Sequence, residues 1–354
     1  MTVITTIGLD LAKSVFQVHG VDAQGKVVIA KALRRAQVLA LFARLAPCLV
    51  GMEACGSANF WARELIKLGH TVKLMPPKYV KAFVKRGKTD AGDAAAICEA
   101  VTRPSMTFVP VKSVEQQSLG MVHGARRLLI GQRTQSINAL RGHLSELGLI
   151  AEKGYEGLAR LVAIVRDPAT PLLDLARLSL ETLATSIEQT SAQIARLDRV
   201  MHAEHKASQQ SRDLATVPSI GVVIASAMRA RVVDPRGFRN GRHFAAWIGL
   251  VPEQNSSGGK ARQKGISKKG DRYLRQLLVS GAMAVIRHAK ARPDKYPWLA
   301  RLLARVPVKV AAVALANKTA RIAWAIMARG GQYRAPDHAP DRAAELAAEL
   351  AAPA

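Results

Sequence analysis

VITTIGLDLAKSVFQVHGVDAQGKVVIAKAL, residues 3–33, falls into three apolar stretches separated by short polar breaks. VITTIGL (3–9) is rich in β-branched residues and stops at Asp10, the composition of a buried strand. SVFQVHG (14–20) alternates apolar and polar residues, with Val15 and Phe16 opening a second strand. DAQGK (22–26) carries turn residues, and VVIAKAL (27–33) follows as a third strand. Three sequential strands joined by short turns make a β-meander.

Beyond the meander, helical and extended patterns alternate. Residues 36–45 have helical spacing, and PCLVGME (47–53) is a short buried strand ending on Glu53. SANFWARELIKLG (57–69) reads as a helix with Phe60, Leu65 and Leu68 on one side, Ser57 as its cap and Gly69 as its stop. HTVKLMP (70–76) is another strand. The basic stretch PKYVKAFVKRGK (77–88) leads into a helix from Asp90. This is the element order of a ribonuclease-H-like α/β domain, an order shared with several other mixed α/β folds.

From about residue 113 to 207 the pattern is helical. Leu119, Val122, Leu129, Leu140, Leu144 and Leu147 carry the first part. Leu180, Leu183, Ile187, Ile194, Leu197 and Met201 form a heptad seam, with Thr190 at its polar gap. A dimerising coiled coil and a helical bundle within one chain both fit. A third region starts near 213, where ATVPSIGVVIASAM sets a Pro-x-Ile-Gly turn between two helices, as in helix-hairpin-helix DNA binders. Its backbone N–H groups suit a phosphate, and a capped helix start explains the pattern equally well. Residues 271–290 and 306–328 are apolar helices. The tail from 331 is low in complexity.

Lys and Arg number 52 against 26 Asp and Glu, a net charge of +26. Such an excess predicts a polyanionic partner, nucleic acid before a membrane surface. No uninterrupted apolar run reaches about 18 residues, so no membrane-spanning helix and no membrane partner are expected. MTVITTIGLD lacks the features of a signal peptide. Cys48, Cys55 and Cys98 show no metal-ligand spacing and read as reduced core or helix residues of a cytosolic protein.

Against this basic background stand four carboxylates. Asp10 and Glu53 end two strands, and Asp90 and Asp93 begin a helix, three residues apart and on one face. Such a set can hold Mg²⁺ (or Mn²⁺), which favours oxygen ligands and can clamp the oxygens of a phosphodiester. Taken singly, an Asp after a strand is also a turn former, and Asp90 is also a plausible N-cap. Arg86 and Lys88 stand close by in sequence to hold a phosphate, or to form a solvated charge run.

A second dense segment is GLVPEQNSSGGKARQKGISKKGDRYLRQLL, 249–278. Between Arg229 and Arg275, twelve Lys or Arg face only Asp234, Glu253 and Asp271, a net +9. Lys260, Arg262, Lys264, Lys268, Lys269, Arg272 and Arg275 are its candidate nucleic-acid contacts. Ser256 and Ser257 lie in its midst. A serine hydroxyl is a weak nucleophile unless its alkoxide is stabilised, and nearby arginines can do that. On chemistry alone, Ser-Ser-Gly-Gly is more often a linker.

DLAK with Asp10, GMEACGS with Glu53, KTDAGDA with Asp90 and Asp93, and GLVPEQNSSGGK through KGISKKGDRYLRQLL together resemble the DEDD transposases of the insertion sequence 110 group, the bridge-RNA-guided recombinases. The resemblance runs from residue 1 to about 330. It implies a RuvC-like, ribonuclease-H-fold domain over 1–112 whose Asp10, Glu53, Asp90 and Asp93 hold Mg²⁺. It further implies a coiled-coil segment over 113–210, a mainly helical transposase domain over 211–330, and a low-complexity tail at 331–354. The family's nucleophilic serine precedes a glycine, which matches Ser257, with Ser256 as the alternative. The implied activity is cleavage and exchange of DNA strands through a covalent phosphoserine. The implied partners are donor and target DNA, a non-coding bridge RNA, and further copies of the chain as a dimer or a tetramer in the synaptic complex. Its expected place is the bacterial cytoplasm, at the nucleoid when acting. The competing readings are a metal-dependent nuclease resembling a Holliday-junction resolvase, and a non-catalytic nucleic-acid-binding protein.

Overall fold

The computed structural model describes residues 3–84, 87, 89–255 and 263–335. Its internal contacts divide the chain into two units, Met1–Gln117 and Ser118–Ala354.

The first unit is built on a five-stranded sheet. β1 (Thr6–Asp10), β2 (Val15–Val21) and β3 (Val27–Arg34) form the expected antiparallel meander. β4 (Leu49–Glu53) and β5 (Thr71–Met75) extend the sheet in parallel from the other side of β1, giving the order β3-β2-β1-β4-β5. The helices of this unit are α1 (Val38–Phe42), α2 (Ala58–Lys67), α3 (Pro77–Val80) and α4 (Asp90–Ala100). Ile7 and Leu9 are fully buried in a cluster with Phe42 of α1 and Trp61 and Leu65 of α2.

Gly8 faces the other way. A Cβ there would meet the Ala94 carbonyl oxygen at 2.1 Å and the Cys98 nitrogen at 2.4 Å, so α4 rides directly on the backbone of β1. Gly51 on β4 makes the same allowance for Val101, whose Cβ would lie 2.7 Å away. Side chains alternate along a strand, so Asp10 and Glu53, two residues beyond these glycines, fall on the α4 side.

Helix α2 corrects one expectation. It buries Ala58, Trp61, Ala62 and Leu65, while Phe60 and Leu68 are exposed at 43% and 38%. The two rings are neighbours in sequence and cannot share one helix face. The larger indole takes the core, and Phe60 packs edge-on against it at 5.3 Å. Ser57 occupies the cap position, but its side chain accepts no capping bond. Gly69, with φ of 90°, does end the helix. The Gly69 N–H donates to Ile66 and the His70 N–H to Leu65, closing the last turn. Cys48 and Cys98 are buried, but Cys55 is exposed in the turn after β4 and so belongs to neither core nor helix.

The second unit is mainly helical. Its long elements are α5 (Val114–Glu146), which begins just before the unit boundary, α6 (Tyr155–Arg166) and α7 (Asp174–Ala207). Leu140 and Leu144 of α5, Leu161 and Val165 of α6, and Leu180 and Ile187 of α7 form one apolar cluster. Ile194 and Met201, further along the α7 seam, are also buried. Helices of the same chain therefore cover the heptad seam at these positions. Leu147 falls beyond the end of α5 and is exposed.

After α7 come α8 (Gln209–Ala215), α9 (Val222–Arg231), α10 (Gly241–Ile248), the antiparallel pair β6 (Pro252–Gln254) and β7 (Gln263–Ile266), α11 (Arg272–Ala291), α12 (Pro297–Leu303) and α13 (Val308–Arg329). Among the described residues, α13 is the one helix long and apolar enough to cross a membrane. It packs against α8, α10, α11 and α12 through Ala311, Ala312, Ala316, Ala320 and Ala323, as the core helix of a globular unit does.

Candidate functional site

The α4 contact with the sheet assembles an acidic cluster. Thr89 caps α4, its hydroxyl accepting from the Gly92 N–H at 3.1 Å. Thr89, rather than Asp90, is thus the cap, and the Asp90 carboxylate is left for another role. Asp10 at the end of β1 and Asp90 and Asp93 in the first turn of α4 each offer a carboxylate oxygen within 4.8 Å of the others. Glu53 stands at the end of the neighbouring parallel strand, beyond the Leu9–Met52 pair. It lies outside that tight trio but close enough to act on the Asp10 charge.

Burial pushes the Asp10 carboxyl up to about 6, with Asp93, Glu53 and Asp90 adding repulsion in that order. The Leu11 N–H pulls weakly the other way. Crowded like charges of this kind are relieved by a cation. Carboxylate oxygens on two rigid elements form the hard donor set that divalent ions favour, so the residues present fit such an ion.

The second candidate region is the basic serine segment, 249–278. Ser256, Ser257, Lys260 and Arg262 lie outside the described residues, as do Arg86 and Lys88. The strands flanking this segment are described. Lys264, Lys268 and Arg272 are exposed. Lys269 pairs with Glu253 across the hairpin at 2.8 Å. Arg275 donates from Nη1 to the carbonyls of Ile248 and Lys269, at 2.7 and 3.3 Å. Asp271 caps α11 by accepting from the Leu274 N–H and pairs with Arg231 at 2.8 Å.

The Pro-x-Ile-Gly turn joins α8 to α9 as expected, with Ile220 buried and Gly221 at the head of α9. Ser219 within it adopts a φ of 84°, and its hydroxyl bonds Thr319 of α13 at 3.0 Å.

Sequence reading misses a buried polar node in this unit. His123 of α5 is 1% exposed. Its Nδ1 lies 3.0 Å from the Tyr273 hydroxyl and its Nε2 3.0 Å from the Ser226 hydroxyl. Burial, then Arg231 and Arg126, push its pKa down to about 4, so it is neutral at pH 7. The Arg231 guanidinium sits 5.0 Å from the Tyr273 ring centre, and Arg126 forms a two-point ion pair with Asp198. The partners of His123 are more than a hundred residues away in sequence, so no local pattern announces them.

Two family profiles match the chain, one described as "Transposase" over residues 7–148 and one as "Transposase IS116/IS110/IS902 family" over 211–297. The chain belongs to the IS110 transposase family. The first match contains all four carboxylates, and the second contains the Pro-x-Ile-Gly turn and the whole serine segment. A Pseudomonas aeruginosa protein named "Probable family 20 transposase" is 50% identical, over 94% of this chain and 99% of its own length. The Coxiella burnetii transposase for insertion sequence element IS1111A is 40% identical, over 94% of this chain and 92% of its own. The Yersinia enterocolitica transposase for element IS1328 is 36% identical, over 92% and 98%. As a transposase, the protein cleaves and transfers DNA.

Proposed function

We propose that this transposase exchanges DNA strands by covalent serine chemistry assisted by Mg²⁺ or Mn²⁺. The reading is carried by the Asp10–Asp90–Asp93 cluster with Glu53 beside it, inside a sheet of order β3-β2-β1-β4-β5. That order, with its antiparallel meander and parallel extension, is the one expected of a RuvC-like, ribonuclease-H fold, and it supports assigning the domain to that class. When bound, the ion polarises the scissile phosphate and steadies the oxygen that leaves.

In this reading the Ser257 hydroxyl, with Ser256 as the alternative, attacks the phosphorus. An Oγ–P bond forms, the P–O3′ bond breaks, and the departing 3′ oxygen takes up a proton. The 3′-OH of a partner strand later attacks the phosphoserine, restoring a phosphodiester and the serine hydroxyl without net hydrolysis. The basic surface over Lys264, Lys268, Lys269 and Arg272 holds nucleic-acid backbone, joined by Arg86, Lys88, Lys260 and Arg262 of the sequence. A non-coding bridge RNA pairs with donor and target DNA, which leaves the protein to read shape and charge. Residues 1–112, 113–210 and 211–330 serve as nuclease-like, helical and serine-bearing segments of a homo-oligomer. It acts in the bacterial cytoplasm, at the nucleoid.

A Holliday-junction-resolvase-like nuclease would share the acids but need no serine. With DNA carrying the element's junction and its flanking transcript as RNA, Ser257→Ala should abolish strand cleavage. Full cleavage by both Ser257→Ala and Ser256→Ala would replace the recombinase reading with the nuclease one.

A further inference from the structure

The chain's four tryptophans divide into two kinds. Trp61 and Trp324 are buried, and Trp324 donates from Nε1 to the Pro235 carbonyl at 2.8 Å. Trp247 and Trp298 stay 36% and 37% exposed. The Lys318 ammonium covers the Trp298 ring, 4.3 Å from its centre. Among the described residues, no cation stands over Trp247.

The stretch DPRGFRNGRHFAAWIG, 234–249, places that ring. Asn240 caps α10 by accepting from the His243 N–H at 2.9 Å. Gly241 lies against α13, where a Cβ would come within 3.1 Å of the Arg321 backbone. Phe244, Ala245 and Ile248 are buried as well, which leaves Arg242, His243 and Trp247 outward. His243 and Trp247 are one turn apart on one helix face. Phe238, just before the helix, meets the Trp247 ring edge-on at 5.4 Å, and Phe244 stacks along it at 5.8 Å and 19°. The indole is thus held in an aromatic bracket while part of its surface stays in water.

A single exposed apolar side chain is ordinary on a protein surface. The charge around this one is not. Arg236, Arg239 and Arg242 are exposed and form no ion pair among the described residues. Asp234, the acid of this stretch, accepts from the Arg236 backbone N–H. At the other end of α10, exposed Lys268 donates its N–H to the Gly249 carbonyl at 3.2 Å. Cations therefore flank the ring along the helix.

We propose that Trp247 is a stacking platform for an unpaired nucleobase, with Arg239 and Lys268 taking phosphates of the same strand. The inference rests on the reading that the basic surface holds nucleic acid, and it is independent of the serine step. A rigid ring offers a π-face to any base, and flanking cations suit the backbone that carries it. The target is a single strand, because the bases of a duplex are already stacked on one another. A second copy of this chain carries the same excess of positive charge and is repelled by these arginines.

The test measures the affinity of the full-length protein for single-stranded DNA, single-stranded RNA and duplex DNA of one sequence, over a range of salt. A strand built of abasic residues is the control. Trp247→Ala should bind at least one of the single strands roughly tenfold more weakly at unchanged salt slope, and the abasic strand and the duplex as wild type does. Whichever of DNA and RNA shows the loss is the strand held on this face. Trp247→Phe should keep most of the affinity, and Arg239→Gln should lower the salt slope by about one. Wild-type affinity of Trp247→Ala for both single strands would overturn the proposal, as would an equal loss on the abasic strand or the duplex. A change of oligomeric state at unchanged strand affinity would give the ring to a second copy instead. Should Trp247→Ala fail to fold, Trp247→Leu carries the same test, since it keeps apolar contact with Phe238 and Phe244 but has no π-face. Wild-type protein that binds none of these strands removes the nucleic-acid reading of the basic surface. Binding that ignores Trp247 removes the platform alone.

Discussion

In the N-terminal unit, like charges are forced together. Asp10, Asp90 and Asp93 sit within 4.8 Å because a glycine-lined strand admits α4, not because they attract one another. In the C-terminal unit the charged groups are instead tied off: Arg126 to Asp198, Arg231 to Asp271, Arg275 to backbone carbonyls. The group buried deepest among them, His123, is neutral. The first arrangement works against folding and is suited to receiving a cation. The second stabilises the scaffold and leaves Lys264, Lys268 and Arg272 exposed toward solvent. A positive count alone therefore overstates how much of the basic segment is free to bind nucleic acid.

The two units should also answer pH with opposite sign. Asp10 titrates near 6 in the folded chain against 3.8 unfolded, so its contribution is present below 3.8 and lost as pH rises through 6. His123 titrates near 4 against 6.5, so its contribution is present above 6.5 and lost as pH falls toward 4.

The strongest way to break this contrast is Asp10→Asn. Cleavage should fall on the order of 100- to 1,000-fold, while nucleic-acid affinity stays near wild type. The parent should gain thermal stability on adding Mg²⁺, and the variant should melt no lower than the parent in metal-free buffer and lose that gain. A wild-type Mg²⁺ response in Asp10→Asn would show that the cluster is not the metal site. Next in size is Gly8→Ala. Its Cβ meets α4 backbone, and a backbone cannot yield as a flexible side chain can, so the first unit should lose roughly 3 kcal/mol in denaturant titration. The loss should fall on the transition of that unit alone. Smaller at neutral pH is the effect of the buried imidazole. Between pH 7 and pH 4 the second unit should lose up to about 3 kcal/mol through His123, and His123→Gln should flatten that dependence. An unchanged pH profile in the variant would mean that another group carries it.

Much of the first unit was legible in the sequence because its strands are short, apolar and bounded by turn residues. The meander and the two later strands stand out as separate segments, whereas the parallel pairing of β4 on β1 and of β5 on β4 does not, and all four acids stand out against the basic background. What was missed there is physically instructive. Gly8-Leu9-Asp10 and Gly51-Met52-Glu53 share a pattern, a glycine two residues before an acid. It marks the strand face that a helix approaches, and so the face on which the acids lie. The inward side of α2 was misplaced because Phe60 and Trp61 both look like core residues and only packing chooses between them. The second unit was less legible. Its helices were visible from periodicity, but the heptad spacing of α7 could not say whether its seam is filled by a partner or by the chain's own α5 and α6. The roles of His123, Asp271 and Arg275 depend on contacts between separate elements, on which local spacing is silent.

The most direct test is to trap the protein on junction DNA with Mg²⁺ and its RNA, digest the complex, and sequence the peptide that carries the nucleotide by mass spectrometry. The account predicts a phosphodiester-linked peptide spanning Ser256 and Ser257, with the modification on Ser257, absent in Ser257→Ala and in Asp10→Asn. Efficient strand cleavage with no nucleotide-bearing peptide would contradict it, leaving the carboxylates as the whole of the chemistry.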